Sequence, residues 1–196
     1  AYSINQFSTG QKISMSPTIS GNFDWSLKKD QSFSINYLLN YNYGVTPDSV
    51  KYNYLDSASW LTRDTRRTTT EFGNSVSADG GLNYTRKFKR GSDISTSTNL
   101  NYNYFRENAA FYQQEFNLSN EADSNYNPLI QNNYRLESSL VSTTQIDYTH
   151  PFKDKYKFEV GGKVNIRNVL NTLTADSFDH SQGRLVLDST ITNVFH

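Results

Sequence analysis

A two-residue rhythm governs most of this chain. Between Ile13 and Trp25 the odd positions read Ile13, Met15, Pro17, Ile19, Gly21, Phe23 and Trp25. The even positions from Lys12 to Asp24 are Lys, Ser, Ser, Thr, Ser, Asn and Asp. Successive side chains of a β-strand point to opposite sides, so this stretch predicts a strand with one apolar and one polar face. Pro17 cannot donate to a ladder, which predicts a bulge or an unpaired edge at that point. The pattern returns five times. It runs through Phe33, Ile35, Tyr37, Leu39, Tyr41 and Tyr43, with Leu38 the one apolar residue of the opposite parity. It continues through Phe72, Val76, Ala78, Gly80, Leu82 and Tyr84, then Ile94, Thr96, Thr98, Leu100, Tyr102 and Tyr104. It closes with Leu140, Ser142, Thr144, Ile146 and Tyr148, and with Tyr156, Phe158, Val160, Gly162, Val164 and Ile166. No helical period competes. Only Arg106 to Phe116 is a candidate for a short helix.

Each patterned stretch covers roughly ten to fourteen residues, whereas strands of soluble domains average about five or six. A tilted strand crossing a bilayer needs about nine to eleven. The connections alternate as well. Residues 26–31, 86–92 and 151–155 are short, and 86–91 is a basic turn. Residues 44–71, 105–138 and 168–196 read as long polar loops, unusual in a compact domain. Short turns at one end and long loops at the other describe an outer-membrane barrel with its long loops outside the cell. The fold class expected is all-β: an antiparallel, up-and-down transmembrane β-barrel segment of about six strands, with short periplasmic turns and long extracellular loops.

Composition fits that picture. The chain has 196 residues, 19 basic and 19 acidic side chains, three His and no Cys. The charge balance speaks against a nucleic-acid partner. Absent cysteine removes disulfides, thiolate metal sites and a Cys nucleophile. Mean hydropathy is −0.71, and no apolar run is long enough for a spanning helix. Yet 14 Tyr and 12 Phe sit in this polar, Ser-, Thr- and Asn-rich sequence. Ala1 is not a start methionine and no signal-peptide pattern precedes it. The expectation is that residues 1–196 form part of a single larger barrel domain, without its plug or remaining strands.

The aromatics bunch at strand ends. Trp25, Phe33, Tyr84, Phe88, Tyr148, Phe152 and Tyr156 lie beside the short turns; Tyr41, Tyr43, Phe72, Tyr102, Tyr104 and Phe105 lie beside the long connections. Two aromatic girdles around an aliphatic band suit two water–lipid interfaces. The residues expected to face lipid or form the girdles are Ile13, Met15, Ile19, Phe23, Trp25, Phe33, Ile35, Tyr37, Leu39, Tyr41, Tyr43, Val76, Leu82, Tyr84, Ile94, Leu100, Tyr102, Tyr104, Ile146, Tyr148, Phe158, Val160, Val164 and Ile166. The lumen wall would carry Lys12, Asp24, Asp79, Asp147, Glu159, Lys163 and Arg167. A soluble barrel with its apolar face inward, binding a small ligand, has the same alternation. A solvent face would, however, be richer in Lys and Glu.

Two stretches resemble a known family. Asp147-Tyr148-Thr149-His150-Pro151-Phe152 followed by Lys157-Phe158-Glu159-Val160-Gly161-Gly162-Lys163 resembles a short-turn hairpin of Bacteroidetes-type outer-membrane β-barrel proteins similar to TonB-dependent receptors. Tyr84-Thr85-Arg86-Lys87-Phe88 looks like another such hairpin. The resemblance implies a barrel of about 22 strands filled by an N-terminal plug. It also implies import of a bulky nutrient (a metal chelate, oligosaccharide or peptide), driven by an inner-membrane energy-coupling complex. No recognisable plug or energy-coupling box occurs in this sequence. A barrel acting as scaffold or adhesin is the alternative.

Catalytic patterns are thin, and no enzyme activity, cofactor or metal is expected. Asp179-His180-Ser181 places three triad residue types side by side, but a triad needs convergence in space. His150 precedes Pro151 in a turn. Asp176, Asp179 and Asp188 lack the spacing of a calcium loop. The binding candidates lie in the long connections, where aromatic and Arg side chains combine to stack on sugars or grip anions. They are Trp60, Arg63, Arg66 and Arg67, beside Tyr52 and Tyr54, and then Phe111 and Tyr112, beside Phe116, Tyr126 and Tyr134.

Overall fold

The computed structural model describes residues 3–58, 60–152 and 156–195. Ten strands form one antiparallel sheet. Along one edge lie β1 (Ser3–Gly10), β2 (Ile13–Met15) and β3 (Thr18–Lys28), all paired to β4 (Gln31–Leu55). Then follow β5 (Leu61–Lys87), β6 (Asp93–Phe116), β7 (Leu129–Phe152) and β8 (Tyr156–Asp179), each beside its predecessor in sequence. Two short strands, β9 (Arg184–Leu187) and β10 (Asn193–Phe195), cover the upper part of β8. Among the described residues the sheet does not close on itself.

The strands are far longer than the alternation predicts. β5 has 27 residues, β4 25, and β6, β7 and β8 have 24 each. At about 3.3 Å per residue that is roughly 80 Å. Most of what read as long loops is therefore strand: 44–55 and 61–71 continue β4 and β5, 105–116 and 129–138 continue β6 and β7, and 168–179 continues β8. The helix candidate Arg106 to Phe116 is the end of β6. Among the described residues, 56–58 with Trp60, 117–128 and 180–183 remain as outer connections. The reason is physical. Where both faces of a strand meet polar surroundings, the hydropathy rhythm stops while the ladder goes on.

Pro17 marks no bulge. The pairs Gly10/Asp48, Ile13/Val45, Met15/Tyr43 and Thr18/Asn40 keep one register, so β1, β2 and β3 are one interrupted edge strand. Pro17 contributes only its carbonyl, which accepts from Tyr41 N at 3.1 Å. The unpaired-edge alternative fits, since β3 pairs with β4 alone. Registers are constant along β5/β6, β6/β7 and β7/β8 too. Side-chain parity therefore carries across the sheet, and each ladder row shares a face.

Every residue expected to face lipid falls on one face. Trp25, Phe33, Tyr84, Thr96 and Ile146 form one row, and Ile19, Leu39, Ala78, Tyr102 and Leu140 another. Nothing covers this face: Ile19 is 64 % exposed and Ile166 65 %. The Tyr37 ring lies across Gly21, within 2.6–2.7 Å of where a Cβ would stand, filling a gap between Ile19 and Phe23. Among the described residues only Val50, Ala109 and Ala175 are buried apolar side chains, and all three lie on the other face. There is no sandwich core.

The apolar band also slips across the sheet. Its outer limit is Val45 on β4, opposite Phe72, but Ile166 on β8, in the row of Tyr37, Leu100 and Ser142. That is eight residues lower after four strands, or two per strand. Strands about 4.8 Å apart and tilted about 40° against a flat membrane slip by roughly one residue per strand. The band therefore runs obliquely across the strands, as in a tilted wall, at about twice that slip.

Candidate functional site

The polar face is a ladder of amides, hydroxyls and carboxylates. Asn40 Nδ2 donates to Thr18 Oγ1 at 2.7 Å, Asn165 to Thr143 at 3.1 Å and Asn83 to Ser34 at 3.3 Å. Asp79 accepts from Asn101, and Asp147 from Gln145 at 2.7 Å. Asp24 accepts from Asn22 at 2.7 Å, and Glu159 is ion-paired with Lys157. Side-chain amides that bridge neighbouring strands satisfy each other at little cost in hydration.

In the upper half the structure divides the binding candidates. Arg63, Arg67 and Phe111 lie on the polar face, whereas Arg66 and Tyr112 lie on the opposite one. Trp60 sits at the outer tip after β4, 73 % exposed, its backbone N–H donating to Asp56 Oδ1 at 3.0 Å. The six do not converge. Of them, only Trp60 is in a loop. Arg63 lies 4.0 Å over the Tyr54 ring, with Nε 3.4 Å from Glu115, which also accepts from Thr65 Oγ1 at 2.6 Å. Arg66 pairs with Asp64 at 2.9 Å, covers Phe116 at 4.1 Å and donates to Asn120. Lys51 joins the same carboxylate at 3.2 Å. Arg66 is thus a clamp between two outer tips, its Nε and Nη2 donors already engaged.

The hollow that sequence reading missed lies lower on the polar face. It encloses about 430 Å³ among Glu71, Glu107, Phe111, Asn133, Arg135 and Asn171, with β10 along one side. Arg135 donates to Glu137 (Nε–Oε1 2.8 Å) and reaches within 5.5 Å of the Phe105 ring. Phe105 is therefore a wall residue of this face and not part of a girdle. Burial, then the neighbouring charge of Glu71, pushes the Glu107 carboxyl above its ordinary range, against the pull of Arg135. These residues fell in segments read as loops. Continuing the odd parity of β6 past Tyr104 would have aligned Phe105, Glu107 and Phe111.

The remaining polar motifs are structural. Asp179 accepts from Ser181 N at 2.8 Å and Ser181 Oγ at 2.6 Å, and from Gln182, closing a turn with Gly183 at φ 65°. These bonds hold its carboxyl below the usual range. His180 does not meet Ser181 but lies 2.7 Å from the Pro128 carbonyl of the adjacent tip. Asp188 caps its own turn through Thr190. No group of three or more His, Asp or Glu side chains converges on a metal position among the described residues. His150 contacts Ser92 Oγ at 2.6 Å beside the short turn.

One comparison bears on this wall of long strands, with one apolar and one polar face. A family model described as the outer membrane protein beta-barrel family matches residues 86–196, from the end of β5 onward. The chain belongs to that family. No curated protein matches it. Membership places the protein in the bacterial outer membrane and displaces the soluble binder with an inward apolar face. Outer-membrane barrels turn an apolar face to lipid and a polar face to the lumen, and this sheet has one exposed apolar face and one Asn- and Ser-rich face. In barrels of this kind short turns lie on the periplasmic side and longer connections outside the cell. Of the short turn expected over 151–155, residues 153–155 lie outside the described residues.

Proposed function

We propose that this wall belongs to a transport barrel of the receptor type, which imports a bulky nutrient, and that it carries no catalytic activity. The observation that supports the reading is the lumen face. Seven strand positions side by side leave the sheet open, and ionisable residues line its polar side through the membrane and above it. A small closed barrel fills its interior with side chains. A wall this wide, with Asp79, Asp147, Lys163 and Arg167 at membrane depth, suits a large lumen occupied by a plug. Cargo would be metal chelate, oligosaccharide or peptide, met first by the Glu71–Arg135 hollow and the Arg63–Tyr54 stack. Energy would come from an inner-membrane complex acting through the plug. Outer-membrane lipid surrounds the other face.

The test is conductance of the whole protein in a planar bilayer. A plugged transporter passes no steady current, then opens reversibly when moderate urea loosens the plug. A constitutively open pore, or no current under either condition, removes the reading. A second reading, adhesin or scaffold, draws on the tips: Trp60, Leu118 (68 % exposed) and Tyr126 stand uncovered outside the cell. Loss of surface attachment on deleting 117–128, with conductance unchanged, would favour it.

A further inference from the structure

The chain is electrically neutral, yet its charge is sorted along the strands. Among the described residues, segments 28–30, 86–93 and 157–159 hold seven basic residues and three acidic ones. The short-turn end therefore carries four net positive charges, and the rest of the chain four net negative. Among the described residues, no ion pair engages Lys28, Lys29, Arg86, Lys87, Lys89 or Arg90.

These cations sit where lipid headgroups would lie. The β5–β6 turn is tight: Phe88 N donates to Ser92 O at 2.7 Å, and Arg90 and Gly91 take φ 76° and 78°. Gly91 packs against Pro151 of the next strand, and Lys87 N donates to the Asp30 carbonyl of the previous turn at 2.8 Å. The turns are thus knitted into one rim. Arg86 has lipid-face parity and lies 4.9 Å over Phe88. Two strands further along its row, a hollow of about 550 Å³ opens on the lipid face among Tyr148, His150, Phe152, Tyr156, Lys157 and Phe158. Aromatic walls for the upper acyl chain, with cations just below, match a phosphate-bearing lipid entering from the apolar band.

We propose that the periplasmic rim is a docking surface for anionic phospholipids of the inner leaflet, with Arg86, Lys89 and Arg90 holding the phosphate and the Tyr148–Phe158 groove holding the chain. This rests on barrel orientation alone and stands apart from the transport reading. A Tyr156→Trp substitution reports on it, because position 156 lines the groove, whereas Trp25 lies on β3, four strands away from Tyr148. The whole protein carrying it is reconstituted into phosphatidylcholine–phosphatidylglycerol vesicles in which either lipid carries bromine. The emission from position 156 is isolated by subtracting that of the protein without the substitution. Brominated phosphatidylglycerol should quench about five-fold more effectively per molecule than brominated phosphatidylcholine. The preference should fall toward one in Arg86→Gln/Lys89→Gln/Arg90→Gln, and with the native rim at high salt. If the triple variant does not fold, the Lys29→Gln/Lys89→Gln pair and the salt series read the same quantity. Equal quenching by the two lipids with the native rim, or a preference untouched by both variant and salt, overturns the proposal.

Discussion

Leu100→Arg puts the assignment of faces at risk in one substitution. Leu100 is on β6, in the middle of the sheet, and is flanked in its row by Gly80 and Ser142. The apolar band on β6 runs from Ile94 to Tyr104. With strands tilted about 40°, each residue adds roughly 2.5 Å of depth, so the band is roughly 25 Å tall and Leu100 lies about 10 Å below its outer limit. An arginine so near the midplane costs about 2–4 kcal/mol. That is roughly a 30- to 900-fold fall in the folded-to-unfolded ratio. Neither row neighbour offers a carboxylate to offset it. Asn99, one residue away, faces the lumen, and Asn99→Arg should cost about 1 kcal/mol or less. Equilibrium unfolding of the whole protein in vesicles, titrated with denaturant, measures both. If Asn99→Arg proves the more damaging, or if the two are equal, the parity is inverted and the lipid face is wrong.

Other consequences follow from the outer half. Asp64 is 5 % exposed and serves both Lys51 and Arg66, so Asp64→Ala should cost about 1–2 kcal/mol in the same unfolding assay. Glu107 is held above its ordinary range, so its ionisation opposes folding: the penalty is absent below the unfolded-state value and grows as pH rises through the folded one. Glu107→Gln should therefore be more stable than wild type near about pH 7 and equal to it near about pH 4. Asp179 is shifted the other way, so its turn is stabilised above the unfolded-state value and loosens as pH falls through the folded one. Asp179→Asn should speed hydrogen exchange at the Ser181 and Gln182 amides at neutral pH, while at acid pH wild type and variant should exchange alike.

The membrane-embedded part of the fold was legible because lipid enforces the rhythm. Val160, Val164 and Ile166 alternate with Glu159, Lys163, Asn165 and Arg167 because one side meets hydrocarbon and the other water. The outer half was illegible for the matching reason. Arg66 and Arg67 are adjacent and identical in chemistry, yet one clamps Asp64 on the outside while the other faces the lumen. Thr68, Thr69 and Thr70 carry no alternation at all, although their β-branched side chains favour a strand. Hydropathy thus recovered the strand centres and misplaced their ends. The site suffered most, since Glu71, Glu107 and Arg135 are brought together by register over some 64 residues of chain.

The length of the hairpins bears on how such a protein reaches its place. A porin with flexible loops passes a slack, hydrated chain outward. Here each hairpin ends as a stiff ladder whose outer portion holds Asp48, Lys51, Arg63, Asp64, Arg66, Arg67 and Glu71 on β4 and β5 alone. Charges on both surfaces of the same ribbon leave no orientation that shields them from hydrocarbon, and each exposed one costs several kcal/mol at mid-depth. The ribbon must therefore cross before its ladder is complete, or cross beside other protein and not beside lipid.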